Sequence, residues 1–92
     1  MEREIKQYFE KSRNITAVYL FGSHASGREN PMSDVDIGIL LDHNYPGSVE
    51  NLKEKCIVEL GRLLRKEIHP VIMNTAGEVL LKQIFSTGRP AI

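Results

Sequence analysis

The sequence contains a single cysteine, no tryptophan and no long apolar run, and its charges balance. One cysteine, Cys56, cannot form an internal disulfide, which agrees with a reducing cytoplasm. No apolar segment approaches the roughly 20 residues of a membrane-spanning helix, and the N-terminus lacks the apolar region of a signal peptide. Lys and Arg total 12, as do Asp and Glu, so the basic surface of a nucleic-acid-binding protein is missing. We expect a soluble cytoplasmic protein that binds neither membranes nor nucleic acids.

The chain has 92 residues, 41% of them apolar, which predicts one domain over residues 1–92 with an adequate core. The spacing of its apolar residues predicts the elements in turn: helix 2–12, strand 14–22, short helix 23–27, strand 34–41, helix 49–66, strand 67–73, helix 76–86 and an edge strand from residue 89. Helices between strands indicate an α/β (α+β) fold, a small mixed sheet flanked by helices. The first two strands have a short connection, which favours antiparallel pairing.

Several residues predict how these elements begin, end and pack. Ser48 suits the N-cap of the long helix, and Thr75 with Glu78 forms a capping-box pattern. Pro70 predicts an edge position for its strand. The apolar stripe of the long helix consists of Val49, Leu52, Cys56, Leu60, Leu63 and Leu64. Cys56 lies within it, which indicates a small core residue rather than a catalytic thiol. Gly88 is a natural stop for the last helix.

The polar stretch between the first two strands carries the residues with the clearest chemical meaning. The first strand ends at Gly22-Ser23, and the second opens with Asp34-Val-Asp36. Because strand side chains alternate, the two aspartates face the same way, about 7 Å apart. Two carboxylates near a Gly-Ser turn suit a Mg²⁺ and phosphate site. We also expect Gly38 to leave this face open, so that a ligand can approach the backbone.

Each of these residues also has a purely structural interpretation. Ser23 at a helix start is an ordinary N-cap beside the turn at Gly22, and acids at a strand start often cap turns. In the functional interpretation Arg28 contacts a phosphate, and in the structural one it is a solvated loop residue. The combination of the motifs, rather than any one of them, favours the phosphate and metal site.

Gly22-Ser23, ten residues and then Asp34-Val-Asp36 resemble the signature of the DNA polymerase β-like nucleotidyltransferase superfamily. The short chain and its order of elements are similar to the minimal nucleotidyltransferases of that superfamily. The resemblance implies that Gly22 and Ser23 bind the triphosphate of ATP, and that Asp34 and Asp36 are the catalytic metal ligands for two Mg²⁺ ions. It further implies a HEPN-domain partner, a toxin to which the minimal nucleotidyltransferase, as antitoxin, transfers AMP.

Two residues depart from the family pattern. Many relatives have an arginine after the Gly-Ser pair, where this chain has His24. The third acid of the family falls at His69, which can bind a metal but offers nitrogen, a poor ligand for Mg²⁺. Glu67 lies two residues earlier, on the same strand face, and is a candidate substitute. The alternative is that His69 is only a packed strand residue and the third ligand is lost.

Two functions therefore remain open. The first is an active nucleotidyltransferase that moves AMP from Mg-ATP to a hydroxyl of a partner protein, or less readily of a small molecule. The second is a binding module of the same fold, which neutralises its partner without chemistry. An apolar edge near the C-terminus is compatible with a homo-oligomer or with a complex. We also expect a further C-terminal element, which is either missing from this sequence or supplied by a partner.

Overall fold

The computed structural model describes residues 1–22 and 34–92. Helix α1 is Glu2–Glu10, and strands β1 and β2 are Ile15–Phe21 and Val35–Leu41. Helix α2 combines an α-helix Val49–Lys55, a π-helix Cys56–Leu60 and an α-helix Gly61–Leu64. The remaining elements are strand β3, a 3-10 turn, helix α3 and strand β4, with the bounds Ile68–Ile72, Met73–Thr75, Glu78–Thr87 and Arg89–Pro90.

The four described strands form one mixed sheet in the order β3-β2-β1-β4. Strand β1 pairs antiparallel with both β2 and β4, while β2 and β3 are parallel. This confirms the mixed sheet, the antiparallel first pair and the last edge strand. Strand β3 lies at the other edge, where Pro70 can be tolerated, as predicted. The predicted helix 23–27 and the polar turn that follows it lie outside the described residues.

The sheet separates two apolar clusters. Helices α1 and α2 cover one face, where Ile5, Phe9 and Cys56 are fully or almost fully buried against β2. Helix α3 covers the other face, where Ile84 packs with Phe21 and Met73. Cys56 is fully buried in the cluster under α1 and α2, as predicted, and its burial raises the pKa of the thiol to about 11.

Helix α2 begins as the sequence predicts, because the Ser48 hydroxyl accepts a hydrogen bond from the Asn51 amide at 3.3 Å. Its last turn differs from the predicted apolar stripe. Leu63 is 54% exposed, whereas Leu64 packs against the core. The π-helical turn has more residues per turn than an α-helix, so it rotates the following turn and brings Leu64 rather than Leu63 to the sheet.

The start of helix α3 corrects another expectation. Thr75 does not cap the helix; it ends the 3-10 turn, and the N-cap is Gly77, without a side-chain hydrogen bond. The reason lies in Asn74, whose side chain donates to the Leu41 carbonyl and accepts from the Leu41 amide, both at 2.8 Å. These two bonds hold the 3-10 turn against the end of β2, so the helix starts later. Gly88 ends α3, as predicted.

Helix α3 also closes the sheet face that Gly38 was expected to leave open. A Cβ at Gly38 would lie 3.1 Å from Met73 Sδ and 3.3 Å from Ile84 Cδ1. Gly38 is therefore needed for close packing under α3, and this expectation was wrong. On the solvent side of α3, Val79 is 86% exposed and Phe85 59%, so these two apolar side chains face away from the core.

Candidate functional site

The predicted site residues that the structure describes lie at one end of the sheet. Strand β1 ends there, and β2 and β3 both begin there, because β1 runs antiparallel to β2 and β3 parallel to it. In register, Phe21 pairs with Asp36, and Asp36 pairs with His69. Backbone hydrogen bonding therefore fixes the relative positions of three strands around this acidic end.

Alternation along β2 turns its acids toward the face covered by α3. Val35 and Ile37 are fully buried in the cluster on the other face. Gly38 faces Met73 and Ile84, so Asp36, two residues earlier, shares that side. The same alternation places Asp34 beside Asp36, in line with the shared face inferred from the sequence.

Gly22 adopts a backbone conformation that few other residues tolerate. Its φ is +75°, in the left-handed region where a Cβ is sterically unfavourable. A Cβ at this position would also collide with the Asp36 carboxylate. The end of β1 and the second aspartate are thus in direct contact, and only glycine allows that contact.

Asp34 belongs to a compact group of potential metal ligands. Among the described residues, Asp34, Glu67 and His69 each offer one ligand atom, and these atoms lie within 4.8 Å of one another. His69 Nε2 is 3.3 Å from Asp34 Oδ2 and 3.8 Å from Glu67 Oε1. The group leaves out Asp36, so the structure divides the two predicted aspartates between different neighbours.

The parallel register explains how Glu67 joins this group. Val35 pairs with Ile68, and the Val35 amide donates to the Glu67 carbonyl at 2.9 Å. Asp34 and Glu67, one residue earlier on each strand, are therefore cross-strand neighbours. Like charges in such positions are unfavourable, and both side chains are exposed, Asp34 to 46% and Glu67 to 71%. A cation between them would offset the repulsion.

The donor atoms decide which ions the site suits. Asp34 and Asp36 offer carboxylate oxygens, which fit Mg²⁺. The third position offers the imidazole nitrogen of His69, which Mg²⁺ binds poorly, together with the oxygen of Glu67. The aspartates therefore supply the kind of donor that Mg²⁺ prefers, whereas His69 offers nitrogen in place of the family's third carboxylate.

The predicted site residues thus have different neighbours in the structure. It brings Asp34 and His69 together and sets Asp36 against Gly22. Ser23, His24 and Arg28 lie outside the described residues. Sequence reasoning missed two relations: the close contact between Gly22 and Asp36, and the pairing of Asp34 with Glu67 across two strands. The first had a signal in the glycine itself, whereas the second depends on a register that the sequence does not encode locally.

No helix in the described ranges is both long and apolar enough to cross a membrane.

Comparison with known proteins gives one family match. Residues 3–91 match the family described as polymerase beta, nucleotidyltransferase. No curated protein matches the chain. The matched range includes Gly22, Asp34, Asp36, Glu67 and His69.

Solved structures of similar fold include chains of toxin–antitoxin complexes. One, from a toxin–antitoxin crystal structure with AMP-PNP, has a TM-score of 0.83 and 24% identity, with 99% of this chain and 72% of that chain covered. A chain of the MntA–HepT toxin–antitoxin has a TM-score of 0.72 and 22% identity, with coverages of 99% and 68%. A third belongs to a tri-AMPylated Shewanella oneidensis HEPN toxin in complex with MNT antitoxin, with a TM-score of 0.69, 20% identity, and coverages of 100% and 72%. At these identities the likeness concerns the fold.

Proposed function

The chain belongs to the polymerase β nucleotidyltransferase family, and on that premise we propose that it transfers AMP from Mg-ATP to a hydroxyl of a partner protein. The proposed partner is a HEPN-domain toxin, with this chain as its antitoxin in the cytoplasm. Similar chains occur in toxin–antitoxin complexes, one with AMP-PNP and one with an AMPylated HEPN toxin. The first of these complexes contains an ATP analogue and the second a HEPN toxin that carries AMP, which supports ATP as the donor and a HEPN protein as the acceptor.

The observation that carries the proposal is the clustering of acids at one end of the sheet. Asp34 and Asp36 share a strand face, and His69 Nε2 lies 3.3 Å from Asp34. Exposed ion pairs of this kind contribute only about 0–1 kcal/mol to stability. The carboxylates of Asp34 and Glu67 are exposed and lie close together, so they are available to a cation that a phosphate accompanies.

Each residue then has a proposed role. Gly22 and Ser23 bind the outer phosphates, at the turn where Gly22 lies against the Asp36 carboxylate. Asp34 and Asp36 hold Mg²⁺, which neutralises charge on the reacting phosphate when it is bound. Glu67 or His69 accepts the proton of the attacking hydroxyl. The hydroxyl oxygen bonds to the α-phosphorus, the bond between the α-phosphorus and the bridging oxygen breaks, and pyrophosphate leaves.

His69 favours the second candidate, a binding module of the same fold. If the nitrogen donor leaves the site without a working third ligand, the chain would bind its partner without modifying it. The intact Asp34 and Asp36 favour the enzyme. Both candidates keep the HEPN-type partner, so they differ only in whether AMP is transferred.

The test uses ATP labelled at the α-phosphate and a HEPN-domain protein encoded in the neighbouring reading frame. We expect label on that protein with the wild type, and none with Asp34→Asn or Asp36→Asn. Asp42→Asn is the matched control, because Asp42 lies beyond the other end of β2, where its Oδ1 accepts from the Asn44 amide at 3.1 Å. A stable complex without label would reject the enzyme and leave the binding module. Label that persists in both aspartate variants would refute their assignment.

A further inference from the structure

Each edge strand of the sheet contains a proline. Strand β3 has Pro70 at its centre, and the two-residue strand β4 ends with Pro90. An edge strand ordinarily presents a row of backbone N–H and C=O groups, which can pair with a strand of another chain. Proline has no N–H, so it leaves a gap in the row of donors wherever it faces outward. The direction in which each proline faces therefore decides whether the edge can be extended.

The hydrogen bonds between β3 and β2 turn Pro70 outward. The Val35 amide donates to the Glu67 carbonyl at 2.9 Å, in the parallel register of the two strands. Successive residues of a strand direct their backbone groups to alternate sides, so Glu67 and every second residue after it face β2. Ile68, Pro70 and Ile72 therefore direct their backbone groups away from the sheet, and the central donor of this outer row is missing.

Strand β4 repeats the arrangement at the opposite edge. The Ala91 amide donates to the Val18 carbonyl at 2.7 Å, and Pro90 lies opposite Tyr19. In an antiparallel ladder, residues that bond to the neighbouring strand alternate with residues that do not. Because Ala91 bonds to β1, Pro90 faces away from β1, and the outer edge of β4 lacks a donor as well.

The start of β1 forms the rest of that edge in the described part of the chain. Strand β4 pairs only as far as Tyr19, so the first residues of β1 extend beyond it. The register of β1 with β2 shifts between Ile15 and Ala17, which leaves Thr16 as the extra residue of a β-bulge. Bulges, prolines and very short strands are the features that disfavour pairing between sheet edges. All three occur at the edges of this sheet.

We propose that the sheet is closed to strand addition at both edges, so that a protein partner, or a second copy of this chain, binds without extending the sheet. A partner that fits such a surface contacts the chain through side chains, from helices or loops, rather than through an exposed strand. The statement about the partner rests on the proposed function. The closure of the edges rests only on the backbone of the chain itself.

The first experiment restores the missing donor. Pro70→Thr supplies an N–H at the outward position of β3, and threonine suits a strand. In a symmetric pair of β3 edges each copy then contributes one new hydrogen bond, so we expect self-association of the full chain to strengthen by roughly tenfold. Analytical ultracentrifugation of the variant and the wild type measures this change. Pro90→Thr should have a smaller effect, because β4 has two residues.

Pro46→Thr is the matched control. It makes the same change in the exposed loop between β2 and α2, away from both edges, and should self-associate as the wild type does. Self-association of Pro70→Thr at the wild-type level would overturn the inference, since the proline would then not be what closes the edge. An equal increase in Pro46→Thr would also overturn it, because the effect would not depend on an edge.

The second experiment uses the wild-type chain and does not depend on how the variants fold. Hydrogen exchange followed by NMR reports the outward amides of Ile68 and Ile72, in the free chain and in the complex with the HEPN-domain protein of the neighbouring reading frame. We expect the same exchange rates in both states. Slower exchange of both amides in the complex would show a partner strand on β3 and overturn the inference. If no complex forms, the proposed partner is rejected, while ultracentrifugation still decides whether the edges are closed.

Discussion

Replacing Gly22 by alanine tests the contact between the end of β1 and the second aspartate. Gly22 has a φ of +75°, where an alanine costs roughly 1–2 kcal/mol in backbone strain. The new Cβ would also meet the Asp36 carboxylate, which must then rotate away or shift its strand. We expect the free energy of unfolding to fall by about 1–3 kcal/mol. We also expect the affinity for nucleotide to fall when it is measured on the folded protein.

Two measurements separate these effects. Urea unfolding gives the stability, and calorimetric titration with a non-hydrolysable ATP analogue and Mg²⁺ gives the affinity under conditions where both proteins remain folded. Gly77→Ala is the matched control, because Gly77 has a φ of −71° and a Cβ there would meet nothing within 4 Å. If Gly22→Ala keeps wild-type stability and affinity, the left-handed turn and its contact with Asp36 do not shape the site.

Two further predictions concern the framework behind the site. With a pKa of about 11 and full burial, the Cys56 thiol should be a thiolate in only about one molecule in a thousand at pH 8. It should resist iodoacetamide until urea unfolds the chain, and rapid native-state labelling would contradict its placement. Asn74→Ala leaves the Leu41 amide and carbonyl without their side-chain partner, which should cost about 1–3 kcal/mol. Urea unfolding measures this cost, and an unchanged midpoint and slope would show that water replaces both bonds.

Much of the fold could be predicted because its signals are local. The spacing of Ile5 and Phe9 gave the first helix, and Ser48 gave the start of the second. Pro70 indicated an edge strand, and the brief connection between the first two strands indicated their antiparallel pairing. All four agree with the structure, because each depends on a few neighbouring residues rather than on distant contacts.

The errors arise where distant contacts decide the local structure. Thr75 has the sequence of a cap, but Asn74 bonds to Leu41 and delays the helix. Gly38 predicts a backbone accessible to a ligand, but the side chains of Met73 and Ile84 fill the space above it. Neither contact has a signal in the residues next to the motif.

The same limit applies to the candidate site. Asp34 and Asp36 could be found from their spacing, and their shared face follows from strand alternation. The neighbours that distinguish them could not, because Glu67 reaches Asp34 only through the parallel register of β2 and β3. His69 was identified as the third position by resemblance, and its distance of 3.3 Å to Asp34 comes from the three-dimensional fold.

The most direct test of the central claim is a calorimetric titration of the full chain with a non-hydrolysable ATP analogue, with and without Mg²⁺. The claim is that the acids at the start of β2 form a metal-dependent nucleotide site. We predict binding to the wild type that requires the metal and disappears in the Asp34→Asn, Asp36→Asn double variant, while Asp42→Asn binds normally. Binding that is equally tight without Mg²⁺, or in the double variant, would contradict the claim.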